Sequence, residues 1–438
     1  MLSPSRRSAA LALHAVFGDS RRVPEGWDRD LSPEDAALAR AMLGLTLRRW
    51  GRLQAWFEAR LKDPRRGAPL GSRIAAALGF TQLAWLSGVS AHAAVHESVE
   101  LAGDRELGFP PHRGLVNAIL RAASRDRSAL AAGLETLPPH LDHSPFVLRA
   151  AESALRPRGQ SALAPVLLER LQHEPVPAFV DLGGAPIPDG LVPVEGQPGA
   201  LRLVPGAPFP RAWLMEGHGM VQDLSSQALM GFACATEPLD ILDVCAAPGG
   251  KTTALARRFP TARVTALERD PRRAERLKAN LQARGTTATV HVADAAPWLL
   301  ATDQTFDLIL LDAPCSGSGT LQKHPELTWI GDSLQVHRLQ GAQARLLEAA
   351  LSRLRPGGLL IYAVCSWFPE EGLNHLAPLQ EHHPDVVPAA VWDASFGLDG
   401  AASSRFLPDP LTWEGEGFQG FAVRRLDPQR SCSALESA

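Results

Sequence analysis

The sequence has few cysteines, few aromatic residues and no long apolar run. Its five cysteines show neither a C-x-x-C pair nor the Cys/His spacing of a zinc site, which argues against a bound metal. An odd and sparse set of cysteines also argues against a secreted scaffold held by disulfides. No apolar run is long enough to span a bilayer. We therefore expect a cytoplasmic protein with no metal site and no membrane partner.

The N-terminal segment is the one place that suggests export. Arg6 and Arg7 precede an apolar stretch at 9–17, as in a twin-arginine or secretory signal. His14 interrupts that stretch, Asp19 follows it, and no small-x-small cleavage pattern is present. An amphipathic first helix is the better interpretation.

The net charge of −3 is small, but the charges are unevenly distributed. Residues 1–160 carry 22 Lys and Arg against 16 Asp and Glu, and the remainder carries 22 against 31. A positive first part beside a negative second part favours a polyanionic partner for the first part. Surface bias alone would also produce this pattern.

The character of the chain changes twice, which predicts three domains and a tail. Residues 1–137 show helical periodicity and predict an all-α bundle. Residues 138–218 are rich in Pro and Gly and predict connector helices followed by a small α/β linking domain. Residues 219–426 alternate strands with amphipathic helices, and residues 427–438 are expected to form a disordered tail.

The alternating part predicts a parallel sheet with helices on both faces. Strands are expected at 239–244, 263–267, 289–292, 306–312 and 357–364. Gly420–Arg424 is expected to add an edge strand. In such an α/β sheet, ligands bind beyond the carboxyl ends of the strands.

A glycine-rich turn follows the first of these strands and leads into a helix. Such a turn lets backbone N–H groups approach a ligand at the positive end of the helix. Its Gly-Lys-Thr ending also suggests a phosphate-binding P-loop, but that motif needs a glycine where this chain has Cys245. The turn is therefore assigned to cofactor binding through Cys245, Ala246, Ala247, Pro248, Gly249, Gly250 and Lys251.

Acidic residues end the next strands. Glu268 lies 18 residues after Gly250, close to the interval of about 20 at which an acid binds ribose hydroxyls. Asp294 is placed to contact an adenine edge, and Asp312 ends a further strand. A single glycine turn without G-x-G-x-x-G favours S-adenosylmethionine over a dinucleotide. Glu268 could equally be a surface acid at a helix N-terminus.

Two cysteines follow strand ends. Cys315 comes directly after Asp312-Ala-Pro, and Cys365 follows the strand at 357–364. Either cysteine alone would more often be an inert buried thiol. Together they would bring two thiols and the carboxylate of Asp312 to one crevice, which favours nucleophilic chemistry by a thiolate.

Three stretches of the second half are similar to the motifs of RNA 5-methylcytosine methyltransferases. They are Cys245–Thr252, Asp312–Gly317 and Tyr362–Glu371. In the first half, four fragments resemble the NusB-like RNA-binding domain, and Gly114–Arg121 is the clearest of them. Together with Val221–Gln227, they identify the chain as a member of the RsmB (Sun/Fmu) family.

The resemblance implies a NusB-like bundle, a small linking domain and a Rossmann-like methyltransferase domain that uses S-adenosylmethionine. It implies methylation of carbon 5 of a cytosine in small-subunit (16S) ribosomal RNA, with RNA and not DNA as the partner. It also implies that Cys365 is the nucleophile and that Cys315 assists release; the residue chemistry alone does not separate these roles. Asp312 is expected to stabilise charge at ring nitrogen 3. We also expect a monomer.

Two stretches depart from the family pattern. Lys323 and Glu326 stand in the family's Arg-His-Pro-Asp stretch, and the segment 177–182 lacks an arginine.

Two other functions stay open. One is the same chemistry on transfer RNA or another ribosomal cytosine. The other is a non-catalytic RNA-binding or ribosome-assembly factor, against which the intact Cys315, Cys365 and Asp312 argue.

Overall fold

The computed structural model describes residues 2–63, 65, 67–104, 107, 112–234, 237–392 and 402–427. The chain folds as two compact units. The first comprises Met1–Arg149, Ala164–Glu174 and Leu321–Asp332, and the second comprises Ala150–Leu163, Pro175–Thr320 and Ser333–Ala438. The domain boundaries drawn from the sequence stay predictions, and the expected tail lies outside the described residues apart from Asp427.

The first unit is helical. Its helices are α1 (Pro4–Phe17), α2 (Pro33–Arg48), α3 (Trp50–Glu58), α4 (Leu70–Trp85), α5 (Ala91–Leu101), α6 (Arg113–Ser124) and α7 (Arg127–Glu135), followed by the 3-10 turn Pro139–Asp142. Helix α8 (Pro145–Leu155) contributes residues to both units, and α9 (Ala164–Arg170) returns to the first. Helix α2 begins as its sequence predicts, since the Ser32 side chain accepts a hydrogen bond from Asp35 N and Pro33 occupies the first turn.

Helix α4 is central to the first unit because its side chains are buried along most of its length. A helix that is apolar on all sides is stable only when neighbouring helices surround it. Aromatic residues of α1 and α3 add to the same core, where the Phe17 and Trp50 rings stack with centroids 3.8 Å apart. The all-α prediction for this part of the chain is confirmed.

The segment Leu321–Asp332 belongs to the first unit, although it follows Cys315 in the sequence. It carries the short helix α15 (Leu327–Ile330). The indole N–H of Trp329 donates to the carbonyl of Leu47 at 2.8 Å, and the Arg48 guanidinium donates to the carbonyl of Gln322 at 2.7 Å. Two hydrogen bonds and the apolar contacts of Trp329 therefore hold this segment in the helical core.

The second unit contains two sheets. A four-stranded antiparallel sheet has the order β2–β3–β1–β4. Its strands are β1 (Ala178–Asp181), β2 (Leu191–Pro193), β3 (Ala200–Leu203) and β4 (Gly219–Val221). The short helices α10 (Arg211–Met215) and α11 (Leu224–Leu229) flank β4 in the sequence.

The larger sheet has the order β10–β12–β9–β8–β5–β6–β7, with β11 paired to β12. Its strands are β5 (Asp240–Val244), β6 (Arg263–Glu268), β7 (Thr289–Val292), β8 (Phe306–Asp312), β9 (Leu354–Val364), β10 (Val386–Pro388), β11 (Arg405–Phe406) and β12 (Gln419–Arg425). Its helices are α12 (Gly250–Arg258), α13 (Pro271–Ala283), α14 (Ala295–Ala301), α16 (Ser333–Leu351) and α17 (Leu376–His382). Strands β5 to β9 pair in parallel, and apolar cores cover both faces. The predicted Rossmann-like fold is confirmed.

The strand predicted at Gly420–Arg424 exists, but it is not an edge strand. It forms part of β12, which pairs antiparallel with β9 on one side and with β10 on the other. The prediction was wrong because β10 spans only Val386–Pro388 and carries no periodic signal long enough to identify from the sequence.

No helix in the described part of the chain combines the length and apolar content needed to cross a bilayer.

The buried ion pair between Arg52 and Asp142 gives a stability prediction for the first unit. Asp142 accepts hydrogen bonds from Arg52 N at 2.9 Å and from Arg52 Nε at 2.5 Å, and its side chain is 0% exposed. Asp142→Ala should lower the free energy of unfolding by about 3–5 kcal/mol, because it leaves the Arg52 charge buried without this partner. Chemical denaturation followed by tryptophan fluorescence measures the change.

Asp19→Ala is the control, since Asp19 forms its ion pair with Arg21 at the surface. Solvent screening makes such pairs weak, so this variant should unfold at the denaturant concentration of the wild type. Equal destabilisation by the two substitutions would contradict the importance of burial.

Candidate active site

The strand register of the larger sheet aligns the chemically interesting residues at one end. Val244 pairs with both Leu267 and Leu311, and Asp312 pairs with Ala363. The loops that follow β5, β6, β8 and β9 therefore begin at the same level. Because β5 lies between β6 and β8, the order of strands reverses there, and such a point is where ligands bind in open α/β sheets.

The glycine-rich turn after β5 has an unusual backbone. Cys245 has a φ of 63° and Gly249 a φ of 105°, both in the left-handed region. A Cβ atom on Gly249 would lie 2.7 Å from Leu277 Cδ1, so both the backbone angle and the packing require glycine there. Gly249 caps α12 without a side-chain hydrogen bond, which leaves the first N–H groups of the helix available to a ligand.

Helix α13 holds this turn in place. The Arg273 guanidinium donates to the carbonyl of Ala247 at 2.9 Å, and the Asn280 amide donates to the carbonyl of Pro248 at 2.9 Å. On the other side of the turn, the Thr252 hydroxyl donates to Asp243 Oδ2 at 2.6 Å. Asp243 is completely buried, and this burial raises its pKa to about 7. The turn is thus fixed from both flanks.

Glu268 is a buried carboxylate at the end of β6. It is 3% exposed, and its Oε1 accepts a hydrogen bond from Asp270 N at 3.0 Å. Its Oε2 is buried, has no hydrogen-bond partner among the described residues and lies 3.5 Å from Arg273 Nη1. A buried carboxylate oxygen without a hydrogen bond is costly unless a ligand satisfies it. The alternative of a surface acid does not describe Glu268, but it does describe Asp270, which caps α13.

Asp294 has a different environment. Its side chain is exposed and accepts a hydrogen bond from Ala296 N at 3.3 Å, so it caps α14. The structure places it at the end of β7, beside the end of β6 that carries Glu268. Its proposed contact with an adenine edge stays a prediction.

Lys251 forms an ion pair with Asp312. Its Nζ donates to Asp312 Oδ2 at 2.8 Å, and only 13% of the lysine side chain is exposed. Burial alone would lower the pKa of Lys251, but Asp312, Asp243 and Cys365 together raise it. Lys251 is therefore a buried cation between the glycine-rich turn and the end of β8. Its ion pair with Asp312 was not predicted from the sequence.

The two predicted thiols lie side by side. Cys315 Sγ and Cys365 Sγ are 3.3 Å apart, within hydrogen-bond distance for sulfur. The hydrogen bond with Cys365, and then burial, raise the pKa of Cys315 well above its usual value. Either sulfur could be the donor in this pair. The positive charge of Lys251 acts on the other sulfur, that of Cys365.

A buried carboxylate behind the thiols was missed by the sequence analysis. Glu371 accepts hydrogen bonds from Ser316, the residue after Cys315, and from Ser366, the residue after Cys365. Its position at the end of the quoted stretch Tyr362–Glu371 was the available signal. The hydrogen bonds themselves depend on how two loops meet, which no local pattern reports.

Within the described ranges, no group of three or more His, Cys, Asp or Glu side chains is arranged to hold a metal ion. Lys323 and Glu326, the two residues that depart from the family pattern, lie in the first unit. Glu326 is buried there and has His324 Nδ1 3.4 Å from its Oε1, whereas Lys323 is exposed.

Comparison with known proteins agrees with both units. A family model for the 16S rRNA methyltransferase RsmB/F matches residues 234–418, and a model for the NusB family matches residues 3–125. Among solved structures, PH0851 has a TM-score of 0.73 at 20% identity, covering 97% of this chain and 100% of that chain. NSun6 from Pyrococcus horikoshii, solved with SFG, has a TM-score of 0.53 at 16% identity, covering 65% and 98%. At these identities the two structures support the fold alone.

Curated relatives match over nearly the whole length. The ribosomal RNA small subunit methyltransferase B of Yersinia pseudotuberculosis serotype O:1b is 31% identical, across 94% of this chain and 96% of that relative. The protein of the same name from Yersinia pestis bv. Antiqua (strain Angola) has the same identity and coverage. The chain belongs to the RsmB/F family of ribosomal RNA small-subunit methyltransferases.

Proposed function

We propose that this protein transfers a methyl group from S-adenosylmethionine to carbon 5 of a cytosine in 16S ribosomal RNA, through a covalent bond between Cys365 and the base. One observation carries the proposal: two thiols lie 3.3 Å apart at the end of the sheet where the Lys251–Asp312 ion pair also lies. A methyltransferase acting on oxygen or on an exocyclic nitrogen needs no thiol. A methyltransferase acting on the unreactive carbon 5 needs a nucleophile to activate the ring and a second group to complete the reaction.

The cofactor site fits S-adenosylmethionine. The unsatisfied Oε2 of Glu268 suits a ribose diol, and the open N-terminus of α12 and the backbone of residues 245–251 suit the polar part of the molecule. Asp294 is proposed to contact the adenine edge. SFG, with which the archaeal NSun6 was solved, is an analogue of S-adenosylmethionine. When bound, S-adenosylmethionine supplies the electrophilic methyl group.

The first step belongs to Cys365. Its thiolate adds to carbon 6 of the cytosine, a sulfur–carbon bond forms, and the electrons of the 5,6 double bond move to make carbon 5 nucleophilic. Lys251 is a buried cation at the same end of the sheet, and its charge interacts with the Cys365 sulfur. The Cys315 sulfur lies within hydrogen-bond distance of the same sulfur and so helps to orient it.

The second step belongs to Cys315. After methylation, carbon 5 carries both the new methyl group and its original hydrogen, which must leave as a proton. Cys315 assists removal of that proton, the 5,6 double bond forms again, and the bond between Cys365 sulfur and carbon 6 breaks. The raised pKa of the Cys315 thiol fits a group that stays protonated while Cys365 attacks. Once Cys365 is bonded to carbon 6, Cys315 gives its proton to water, and the resulting thiolate accepts the proton from carbon 5.

Asp312 is proposed to contact the base at ring nitrogen 3. Its Oδ2 is occupied by Lys251, and 28% of its side chain is exposed, so the carboxylate is accessible from the crevice. A proton shared between Asp312 and the ring nitrogen would neutralise the charge that develops during attack.

The RNA partner and the cytoplasmic location follow from the proposed substrate. The basic residues of the first unit are proposed to contact the RNA backbone, and the enzyme is proposed to act as a monomer.

Bisulfite sequencing of RNA from cells that lack this protein, with and without a plasmid copy, tests the function. One cytosine of 16S RNA should lose its protection from conversion and regain it with the plasmid. Loss of protection only in transfer RNA or large-subunit RNA would contradict the assignment.

The thiol roles predict opposite results for two single substitutions. Cys365→Ala should be inactive and form no covalent RNA adduct. Cys315→Ala should attack and transfer the methyl group yet release product slowly, so a protein–RNA species should survive on a denaturing gel. The double variant should form no adduct, because accumulation requires the attack first.

The same gel distinguishes the alternatives. Adduct with Cys365→Ala alone would reverse the two roles. No adduct with either variant, on RNA that the wild type methylates, would falsify covalent catalysis by this pair.

The buried Glu268 carboxylate gives a prediction for the cofactor. Glu268→Ala should weaken binding of S-adenosylmethionine by about 1–3 kcal/mol, because hydrogen bonds to the ribose are lost inside a buried site. Isothermal titration calorimetry measures the change. Glu275→Ala on α13 is the matched control, since Glu275 pairs with Lys278 away from the turn, and it should bind like the wild type. Unchanged affinity for Glu268→Ala would remove the ribose assignment.

A further inference from the structure

We propose that Glu371 is a positioning residue that holds the Cys315 thiol against Cys365 and thereby sets the rate of product release. The proposal rests on the proposed function, because it assumes that Cys315 assists release. Glu371 does not contact the crevice itself, since it is 0% exposed. It acts through the two serines that follow the thiols.

The carboxylate joins the two loops directly. Glu371 Oε1 accepts the backbone N–H of Ser316 at 2.8 Å. Glu371 Oε2 accepts the hydroxyl of Ser316 at 2.6 Å and the hydroxyl of Ser366 at 2.6 Å. Charge-assisted hydrogen bonds of this length are stronger than those between neutral groups. Both thiol-bearing loops are therefore tied to one rigid acceptor.

A second set of hydrogen bonds holds the carboxylate still. The Gln343 amide on α16 donates to the carbonyl of Pro314 at 2.9 Å and lies 3.5 Å from Glu371 Oε1. His375 Nε2 lies 3.1 Å from Gln343 Oε1, and burial lowers the His375 pKa to about 4, so a neutral imidazole fixes the amide. The Tyr362 hydroxyl donates to the carbonyl of Glu371 at 2.6 Å. Fully satisfied buried networks of this kind define a single geometry.

The two loops do not depend on Glu371 equally. Ser366 has other partners from outside its loop, since its hydroxyl lies 3.0 Å from that of Ser318 and its carbonyl accepts the Gln419 amide at 3.1 Å. Ser316 directs both its N–H and its hydroxyl to Glu371. Within the described part of the chain, its other side-chain hydrogen bonds are with Ser318 N at 3.3 Å in its own loop and with the Ser366 hydroxyl at 3.5 Å.

This asymmetry predicts which chemical step fails when Glu371 is changed. Without Glu371, Ser316 loses the two hydrogen bonds that hold the residue after Cys315, and its loop keeps other links, such as those from Gln343 to Pro314 and from Gly319 N to the carbonyl of Cys365. Ser366, the residue after Cys365, keeps its contacts with Ser318 and Gln419. Attack by Cys365 should therefore continue, and the proton removal that Cys315 assists should slow. A Glu371 variant should behave as a weaker form of Cys315→Ala.

The test compares Glu371→Gln with the wild type and Cys315→Ala on the RNA identified by bisulfite sequencing. Glutamine has nearly the volume of glutamate, but an amide NH2 group, which donates hydrogen bonds, replaces one carboxylate oxygen, which accepts them. A donor at Ser316 or Ser366 would then face another donor. Turnover should fall about 10- to 100-fold, the loss expected when a catalytic group is displaced by about 1 Å. The rate at which adduct first forms should stay close to that of the wild type, and adduct should accumulate on a denaturing gel.

The control is Glu381→Gln, the same chemical change at an exposed position of α17. It should leave turnover and adduct levels unchanged. If Glu371→Gln fails to unfold cooperatively, Ser316→Ala makes the same test, because it removes one hydroxyl donor and leaves the carboxylate in place. It should also accumulate adduct, to a smaller extent.

The outcomes distinguish this proposal from the proposed function on which it rests. If Cys315→Ala forms no adduct, the proposed roles of the two thiols fail whatever Glu371→Gln does, and covalent catalysis by this pair fails as well if Cys365→Ala also forms none. If Cys315→Ala accumulates adduct but Glu371→Gln slows adduct formation and turnover by the same factor, Glu371 has only a general structural role and this inference is overturned.

Discussion

The parallel pairing of β8 with β9 is the constraint on which the candidate site depends. Asp312 pairs with Ala363, so the two strands end within one or two residues of each other and their loops leave the sheet together. Ala313 N then donates to the carbonyl of Ala363 at 2.9 Å, and Gly319 N donates to the carbonyl of Cys365 at 3.1 Å. A shift of the register by one residue would turn every side chain of a strand to the other face of the sheet. The sulfur–sulfur distance therefore depends first on the register of β8 and β9, and only then on the conformation of the two loops.

Much of the site could be predicted because strand ends are visible in the sequence. Cys315, Cys365 and Asp312 each follow an apolar run too short for a helix, and parallel strands bring such ends to one edge. Glu268 was identified for the same reason, through its spacing from Gly250. These inferences need only the order of elements along the chain and the general geometry of an α/β sheet.

The contacts that could not be predicted are those made between loops. Lys251 was assigned to the cofactor because it ends the glycine-rich turn, yet its ammonium group pairs with Asp312. Glu371 lies only six residues after Cys365, but its partners include Ser316 on another loop. The segment Leu321–Asp332 belongs to the helical unit through Trp329, although its neighbours in sequence belong to the other. Side-chain hydrogen bonds and tertiary packing have no period in the sequence, so pattern analysis does not report them.

The electrostatics explain how two identical side chains can take different roles. Both thiols sit at strand ends, 3.3 Å apart, and each is followed by a serine bound to Glu371. What differs is the nearest charge. The Lys251 cation interacts electrostatically with Cys365, whereas the hydrogen bond to Cys365 and burial raise the pKa of Cys315 well above its usual value. This difference supports the proposed order of events, in which Cys365 attacks first and Cys315 acts later. Chemical asymmetry thus arises from the buried charges around the pair and not from the cysteines themselves.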